Sequence, residues 1–314
     1  MTPPKWIALI GSLFLVCVPM CSNAWPGQDQ EQLAADMKAL KQAGISTDEP
    51  GLLEFFRKRT TSESQRRLIG ELIKQLGDKD FMVREKASRE LEGLGSAART
   101  ALQQARKHED PEVASRAERC LDVIGGGSHD ELLACAARVL STRKSEKAVE
   151  VMLGFLPDAA AAGVEEDVMR AVTVLAVSEG KAHTSLVQAL TDKSPLRRGA
   201  AGEALAGHPD HREAVHKLIQ DDEPSVRLRV LLALVCSGDK KVMPALIDCL
   251  PQLTRDQAWQ IEDVLYRLGG KKSPQLPAPS DSDALKKYRD ECHAWWKEHG
   301  EKGDLARLEG GARR

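Results

Sequence analysis

Aromatic residues make up only 4% of the 314-residue chain. A protein that stacks bases or sugar rings needs more of them gathered on one face, so that class of ligand is disfavoured. Charge of neither sign is in excess: Lys and Arg number 45, Asp and Glu 47, and the formal net charge is -2. So even a balance offers no basic stripe for nucleic acid and no polybasic face for an anionic membrane. Catalytic signatures are missing too. The chain has no Gly-rich phosphate loop, no His-Glu-x-x-His, no Gly-x-Ser-x-Gly and no Cys-x-x-Cys. Its carboxylates fall at charge-pair spacing, as Glu85 with Arg89, which is the pattern of a solvated helix face. No cofactor, no metal and no enzymatic activity are expected.

Long apolar runs are also absent, with one exception. After Lys5, residues Trp6 to Cys21 are almost wholly apolar, and Ser22-Asn23-Ala24 follows. Small residues stand at the two positions a signal peptidase reads. Residues 1–24 therefore read as a secretory signal peptide cleaved after about Ala24. The run is shorter than the ~20 residues of a spanning helix, and Pro19 interrupts its end; an uncleaved anchor is the alternative. Cys17 and Cys21 follow Val16 and Met20, where a lipoprotein signal needs a small residue. The mature chain is expected to be periplasmic or secreted, with no transmembrane segment.

Five cysteines lie beyond residue 24: Cys120, Cys135, Cys236, Cys249 and Cys292. An odd number leaves at least one thiol outside any intramolecular pairing. Four sit in apolar helical stretches, where Cys serves as a small core residue. Cys236 and Cys249 fall on successive helices, which leaves a disulfide between them open.

What the chain does have is repetition. Asp80-Phe-Met-Val83-Arg84-Glu-Lys-Ala87 is followed by Leu91 and Leu94. Asp110-Pro-Glu-Val113-Ala-Ser-Arg-Ala117 is followed by Leu121 and Ile124. Asp192-Lys-Ser-Pro-Leu196-Arg197-Arg-Gly-Ala200 and Asp222-Glu-Pro-Ser-Val226-Arg227-Leu-Arg-Val230 repeat the pattern. Val83 and Val113 lie 30 residues apart, as do Leu196 and Val226. Each segment has an acidic turn fit for an N-cap. Pro111, Pro195 and Pro224 fall in the first helical turn, where a missing N–H costs little. An aliphatic residue and a small or β-branched one four later share a helix face. These are second helices of helix-turn-helix pairs. First helices fit between them, as at Leu68-Ile69-x-x-Leu72-Ile73-x-x-Leu76 and Val242 to Leu250, with apolar spacing of three and four. Gly77, Gly95, Gly207, Gly238 and Gly269 mark helix ends. No stretch alternates as a strand.

These segments resemble HEAT-like repeats of the short kind, also seen in bilin-lyase-related proteins. The resemblance covers about residues 62 to 270 and is strongest from Leu76 to Leu121. It implies an all-α fold, an armadillo-like α-solenoid of stacked helix pairs. Such a signature specifies a fold and hardly a function.

The resulting organisation is as follows. Residues 25–60 form an N-terminal helical cap on the first repeat, with helices near Gln30 to Gln42 and Gly51 to Arg59. Residues 61–126 and 127–270 are two blocks of repeats. They divide at Ile124-Gly125-Gly126-Gly127-Ser128, where a first helix is missing and a bend is expected. Asp158-Ala-Ala-Ala-Ala-Gly163 lengthens one spacing. Residues 271–284, with three prolines, read as a linker. A C-terminal helix occupies 285–309, strongest from about Asp283 to His299 before Gly300, and 310–314 form a loose tail.

Candidate contact residues are few. Arg84, Arg197 and Arg227 open second helices and could form a ladder for acidic partners or phosphate groups. The favoured alternative is that each pairs with the acidic turn of a neighbouring repeat. Trp295 and Trp296 dock the last helix or anchor a partner. His208, His211 and His216 cluster near one turn, which reads as a polar loop rather than a metal site. Cys292 and His299 share a face but stand about 10 Å apart, too far for a nucleophile pair. Repeats behind an export signal point to a non-catalytic protein-protein interaction scaffold in the cell envelope or extracellular space. The resemblance adds an alternative, a small-molecule or chromophore-handling protein. Nucleic acid is not expected as a partner.

Overall fold

The helices begin where the sequence supplies a side-chain acceptor for their first N–H groups. In the computed structural model, which describes residues 30–125, 128–143, 145–159, 162–178, 180–278 and 281–300, Asp48, Ser62, Asp80, Asp110, Thr254 and Asp281 each cap a helix in this way. Ser62 with Gln65, and Thr254 with Gln257, form full capping boxes. The signal peptide read at 1–24 and the tail at 310–314 lie outside the described residues.

In chain order the helices are α1 (Gln30–Gln42), α2 (Glu49–Arg57), α3 (Glu63–Gln75), α4 (Phe81–Leu94), α5 (Arg99–Ala105) and α6 (Pro111–Ile124). Then come α7 (Ser128–Ser141), α8 (Glu146–Phe155), α9 (Ala162–Val174), α10 (Thr184–Ala189), α11 (Pro195–Leu205) and α12 (Arg212–Lys217). The last four are α13 (Pro224–Cys236), α14 (Met243–Asp248), α15 (Arg255–Gly269) and α16 (Ser282–His299). Gly95, Gly125 and Gly270 close α4, α6 and α15 at φ of 57°, 74° and 61°, a conformation only glycine adopts cheaply. Gly269, expected as the stop, is instead the last residue of α15. An antiparallel pair of two-residue strands, β1 (Val177–Ser178) and β2 (Lys181–Ala182), joins α9 to α10. It is too short to show as alternation in the sequence.

The stack does not follow chain order. α1 lies against α7, α7 against α9, α9 against α11, and α11 against α13, in one layer. α2 lies against α8 and α8 against α10 in the layer behind. Residues 30–57 therefore do not cap the first repeat, as their position in the chain implied. They supply a helix pair before α7 in the stack, with α2 in the place of the first helix that the sequence lacked there. The reason is apolar matching. Leu40, Leu52, Leu53, Phe55 and Phe56 are buried in one continuous core with Leu140, Met152 and Phe155. The Phe56 and Phe155 rings meet edge to face at 5.2 Å, a favoured aromatic geometry. Each such side chain stabilises by about 1.5–3 kcal/mol when fully buried.

Helices α3 to α6 keep a core of their own, from Ile69 and Leu72 through Leu91 and Leu102 to Val113 and Cys120. Arg116 of α6 knits it by reaching Glu85 of α4 at 2.9 Å and Glu112 at 2.6 Å. This block is an insertion between α2 and α7.

At the other end, α16 docks on α14 and the turn at Leu250–Gln252. The segment read as a linker is tied down over its described part. Ser273 is buried, the Leu276 N–H donates to Glu262 at 2.9 Å, and Tyr288 donates to the Pro274 carbonyl at 3.4 Å.

Candidate protein-interaction surface

Three arginines share one job, and one of them is not the one the repeat pattern names. Arg84 Nη1 donates to the carbonyls of Asp78 and Lys79 at 2.7 and 3.1 Å. Arg198 Nη1 does the same to Asp192 and Lys193 at 2.8 and 3.1 Å, and Arg227 Nη1 to Asp221 and Asp222. Each guanidinium thus ties down the turn that precedes its own helix. Each then reaches the next repeat: Arg84 to Glu112 at 3.1 Å, Arg198 to both Asp221 oxygens at 2.7 and 2.8 Å, and Arg227 to Gln252. A planar fork suits this double task, and a lysine would not.

Arg197 does something else. Its Nε and Nη2 donate to the Leu153 and Gly154 carbonyls at the end of α8, at 2.8 and 3.0 Å, satisfying acceptors that a helix C-terminus leaves open. Aligning Leu196 with Val83 is off by one residue. The true N-cap position is Ser194, so Arg197 matches Val83 and Arg198 matches Arg84.

The turns repeat as well. The N–H of Asp80, Ser194 and Glu223 each bonds to the side chain two residues earlier, Asp78, Asp192 and Asp221, at 2.9, 2.7 and 3.0 Å. The Asp110 N–H uses His108 Nδ1 in the same way at 3.0 Å. Hydrogen bonds from Arg198 hold the Asp221 carboxyl below the usual carboxylate range, so this ion pair persists well into acid.

A second set of ion pairs crosses the front layer. Arg138 of α7 donates to Asp36 of α1 through Nε and Nη2, at 2.7 and 2.8 Å, and to Asp167 of α9 at 3.0 Å. Arg229 of α13 reaches Glu203 of α11 at 3.0 Å and Glu165 of α9 at 3.2 Å. Burial alone would raise the Asp36 carboxyl, but the bonds from Arg138 and Gln32 outweigh it and hold it low. Burial wins at Asp167 and at Glu166, whose carboxyls are raised.

The remaining candidates are placed as follows. Trp295 packs against the backbone of Gly269 and stacks on His299 at 5.2 Å. Trp296 is half-buried beside Gly300. The His208 and His211 rings lie 5.1 Å apart, and His216 Nε2 stands 3.1 Å from Asp239. Among the described residues, no group of three His, Cys, Asp or Glu side chains is placed to hold a metal ion. Cys292 is buried on α16, and burial pushes its thiol up to about 12. Cys249 carries a free thiol directed at the Ala245 carbonyl, so the bond to Cys236 left open by the sequence is not formed.

Two aromatic residues that the sequence pattern did not single out stand well into solvent, though Phe81 at 55% is more exposed than either. Trp259 and Tyr266 are 44% and 50% exposed on α15. Their spacing of seven was readable: it puts both on the side of the helix opposite the buried stripe of Ala258, Ile261, Val264, Leu265 and Leu268.

Residues 184–260 match the HEAT repeats family. The chain is a HEAT-like repeat protein. HEAT-like stacking accounts for the paired layers, and HEAT repeats generally serve as protein-interaction scaffolds. No curated protein matches the sequence. A crystal structure of an engineered protein is 18% identical, over 77% of this chain and 97% of that one, with a TM-score of 0.20; at that score the superposition does not bear on the fold. No helix among the described residues is long and apolar enough to cross a membrane.

Proposed function

We propose that this HEAT-like protein is a non-catalytic scaffold that binds another protein in the cell envelope or extracellular space. The apolar run and Ser22-Asn23-Ala24 near the N-terminus support export. The observation that carries the binding role is the pair Trp259 and Tyr266, held outward by a helix whose other face is fully committed to the core. Exposed Trp and Tyr are favoured as interface anchors because they bury much area at little entropic cost.

Trp295 and Trp296 extend the same C-terminal region, each with part of its ring accessible. Arg84, Arg197 and Arg227 have their donors engaged on backbone carbonyls and neighbouring turns, so we assign them to repeat register rather than to the partner.

The test is affinity capture of the tagged full chain from the envelope fraction of its own cells, beside the double variant Trp259→Ala/Tyr266→Ala. A stoichiometric protein companion recovered by the parent and lost by the variant is the expected result. A parent that brings down no protein companion contradicts the reading.

A further inference from the structure

The second helices of the main stack run parallel, so their ends sort onto two edges. Gly199 of α11 faces Arg229 of α13, and Gly202 faces Val230, a pairing that advances in the same direction along both helices. Arg227, near the start of α13, likewise reaches Gln252 just before α15. The turns that precede these helices share one edge, where Arg198 and Arg227 are engaged. The turns that follow them share the other.

That second edge carries a basic side chain in each of four successive turns. Lys181 stands on β2 after α9, Arg212 directly after the turn Pro209–His211, Lys241 in the turn Lys240–Val242, and Lys272 in the turn Gly270–Lys272. They follow one another at intervals of 31, 29 and 31 residues, which is the period of the repeat. All four are exposed. Two rungs are set by one buried group: Asp239 accepts Arg212 Nη2 on one oxygen at 2.7 Å and the Lys241 N–H on the other at 3.2 Å. Even so engaged, the Arg212 side chain is 60% exposed. Lys240 and Lys271 double two of the rungs. The acidic residues of the same turns are Glu179, Asp210 and Asp239, and Asp239 is already committed to Arg212. A single cation after a helix C-terminus complements the helix dipole, an effect confined to the last turn. It accounts for one basic residue per turn but not for the doubled lysines. The even overall charge conceals this edge, because its rungs lie a repeat apart in sequence and meet only in the stack.

Neighbouring packed helices lie 8–10 Å apart, so the rungs recur about every 10 Å along the edge. An extended polypeptide advances by roughly 3.3 Å per residue. Three of its residues span one interval.

We infer that this edge is a cationic ladder that binds an extended acidic segment of a partner protein, with a carboxylate at about every third residue meeting a rung. It is a second contact surface, made by side chains other than Trp259 and Tyr266. Lysine heads on flexible stems suit carboxylates held at such a loose spacing, where a planar fork is not required.

The test is fluorescence anisotropy of a labelled peptide, ~12 residues long with Glu at every third position among Ser and Gly, titrated with the full chain in ~50 mM salt, where exposed charges are weakly screened. The parent is expected to bind. Lys181→Gln/Lys241→Gln/Lys272→Gln is expected to weaken binding about tenfold, as the loss of three exposed ionic contacts implies. Lys58→Gln/Lys74→Gln/Lys86→Gln removes three exposed lysines elsewhere and is expected to bind as the parent does. Added salt should weaken the parent more steeply than the ladder variant. No binding of the peptide at low salt, or equal weakening by the two triple variants, would overturn the proposal. Binding of inorganic polyphosphate without binding of the peptide would assign the edge to phosphate polymers and overturn it equally.

Discussion

Arg138 grips Asp36 with two parallel hydrogen bonds of 2.7 and 2.8 Å across 102 residues of sequence. The carboxylate is 2% exposed and the guanidinium 17%. This pair is where α1 enters the stack, and it is the polar counterpart of the Leu40 and Phe56 packing beside it.

Removing one partner of such a pair leaves the other buried and uncompensated, at a cost of about 3–5 kcal/mol. Asp36→Asn keeps the shape and one acceptor, so a loss near the lower end, about 3 kcal/mol, is expected at pH 7. The sign with pH follows from the lowered Asp36 carboxyl. Its contribution is complete above the unfolded pKa near about 3.9 and is lost as pH falls through the folded value. Asp167 runs oppositely, since its raised carboxyl is relieved by protonation. Thermal unfolding from neutral to strongly acid pH should therefore show parent and variant converging toward acid. A constant gap between them would show that Asp36 is not acting through its charge.

Arg198→Lys should lose the fork that holds both the Asp192 turn and Asp221. Charge-assisted bonds of this kind contribute about 1.5–3 kcal/mol. The urea midpoint should fall by a matching amount with an unchanged slope, which marks a stability change rather than a new unfolded state. Arg84→Lys, carrying the same pattern, should behave alike.

Glycine substitutions separate close packing from open surface. In Gly269→Ala the new methyl would collide with the Trp295 ring, so α16 must shift and tryptophan emission should move to the red. Overpacking of this kind costs about 1–3 kcal/mol. Gly70→Ala, in mid-helix with nothing within 4 Å, should instead stabilise by up to about 1 kcal/mol. Denaturant titration of the two variants decides both signs.

The thiols of Cys135 and Cys292 are pushed up by burial to about 11 and about 12. Thiolates are the reactive species. In the native protein at mildly alkaline pH, Cys120, Cys135, Cys249 and Cys292 should resist a thiol reagent for as long as the fold persists, then react together in denaturant. Rapid labelling of any of the four in native buffer would contradict their placement.

Much of this architecture was readable from local pattern. Asp80 and Asp110 announce their helices because capping is a matter of one side chain and the next turn. The HEAT-like spacing from Leu76 to Leu121 marks paired helices for the same reason. What local pattern could not carry is which pairs meet. The 25–60 segment looks like a cap on its chain neighbour, and only the burial of Leu40 and Phe56 with residues of α7 and α8 reveals otherwise. The arginine register was missed because Leu196 imitates the aliphatic position one residue early, while the decisive marker, Ser194, caps its helix by backbone geometry alone. Trp259 and Tyr266 were visible as a spacing of seven, but the stripe they oppose stands out only once α15 is bounded at Thr254.

The packing of α1 and α2 into the main stack sets the order of the whole fold, and Phe56→Ala tests it directly. Truncating a buried Phe costs about 3–5 kcal/mol, and its ring meets Phe155. Amide hydrogen exchange should rise over α7 and α8 and stay at parent level across α3 to α6. Faster exchange in α3 and α4, with α7 and α8 unchanged, would place the N-terminal helices on the first repeats and contradict the fold described here.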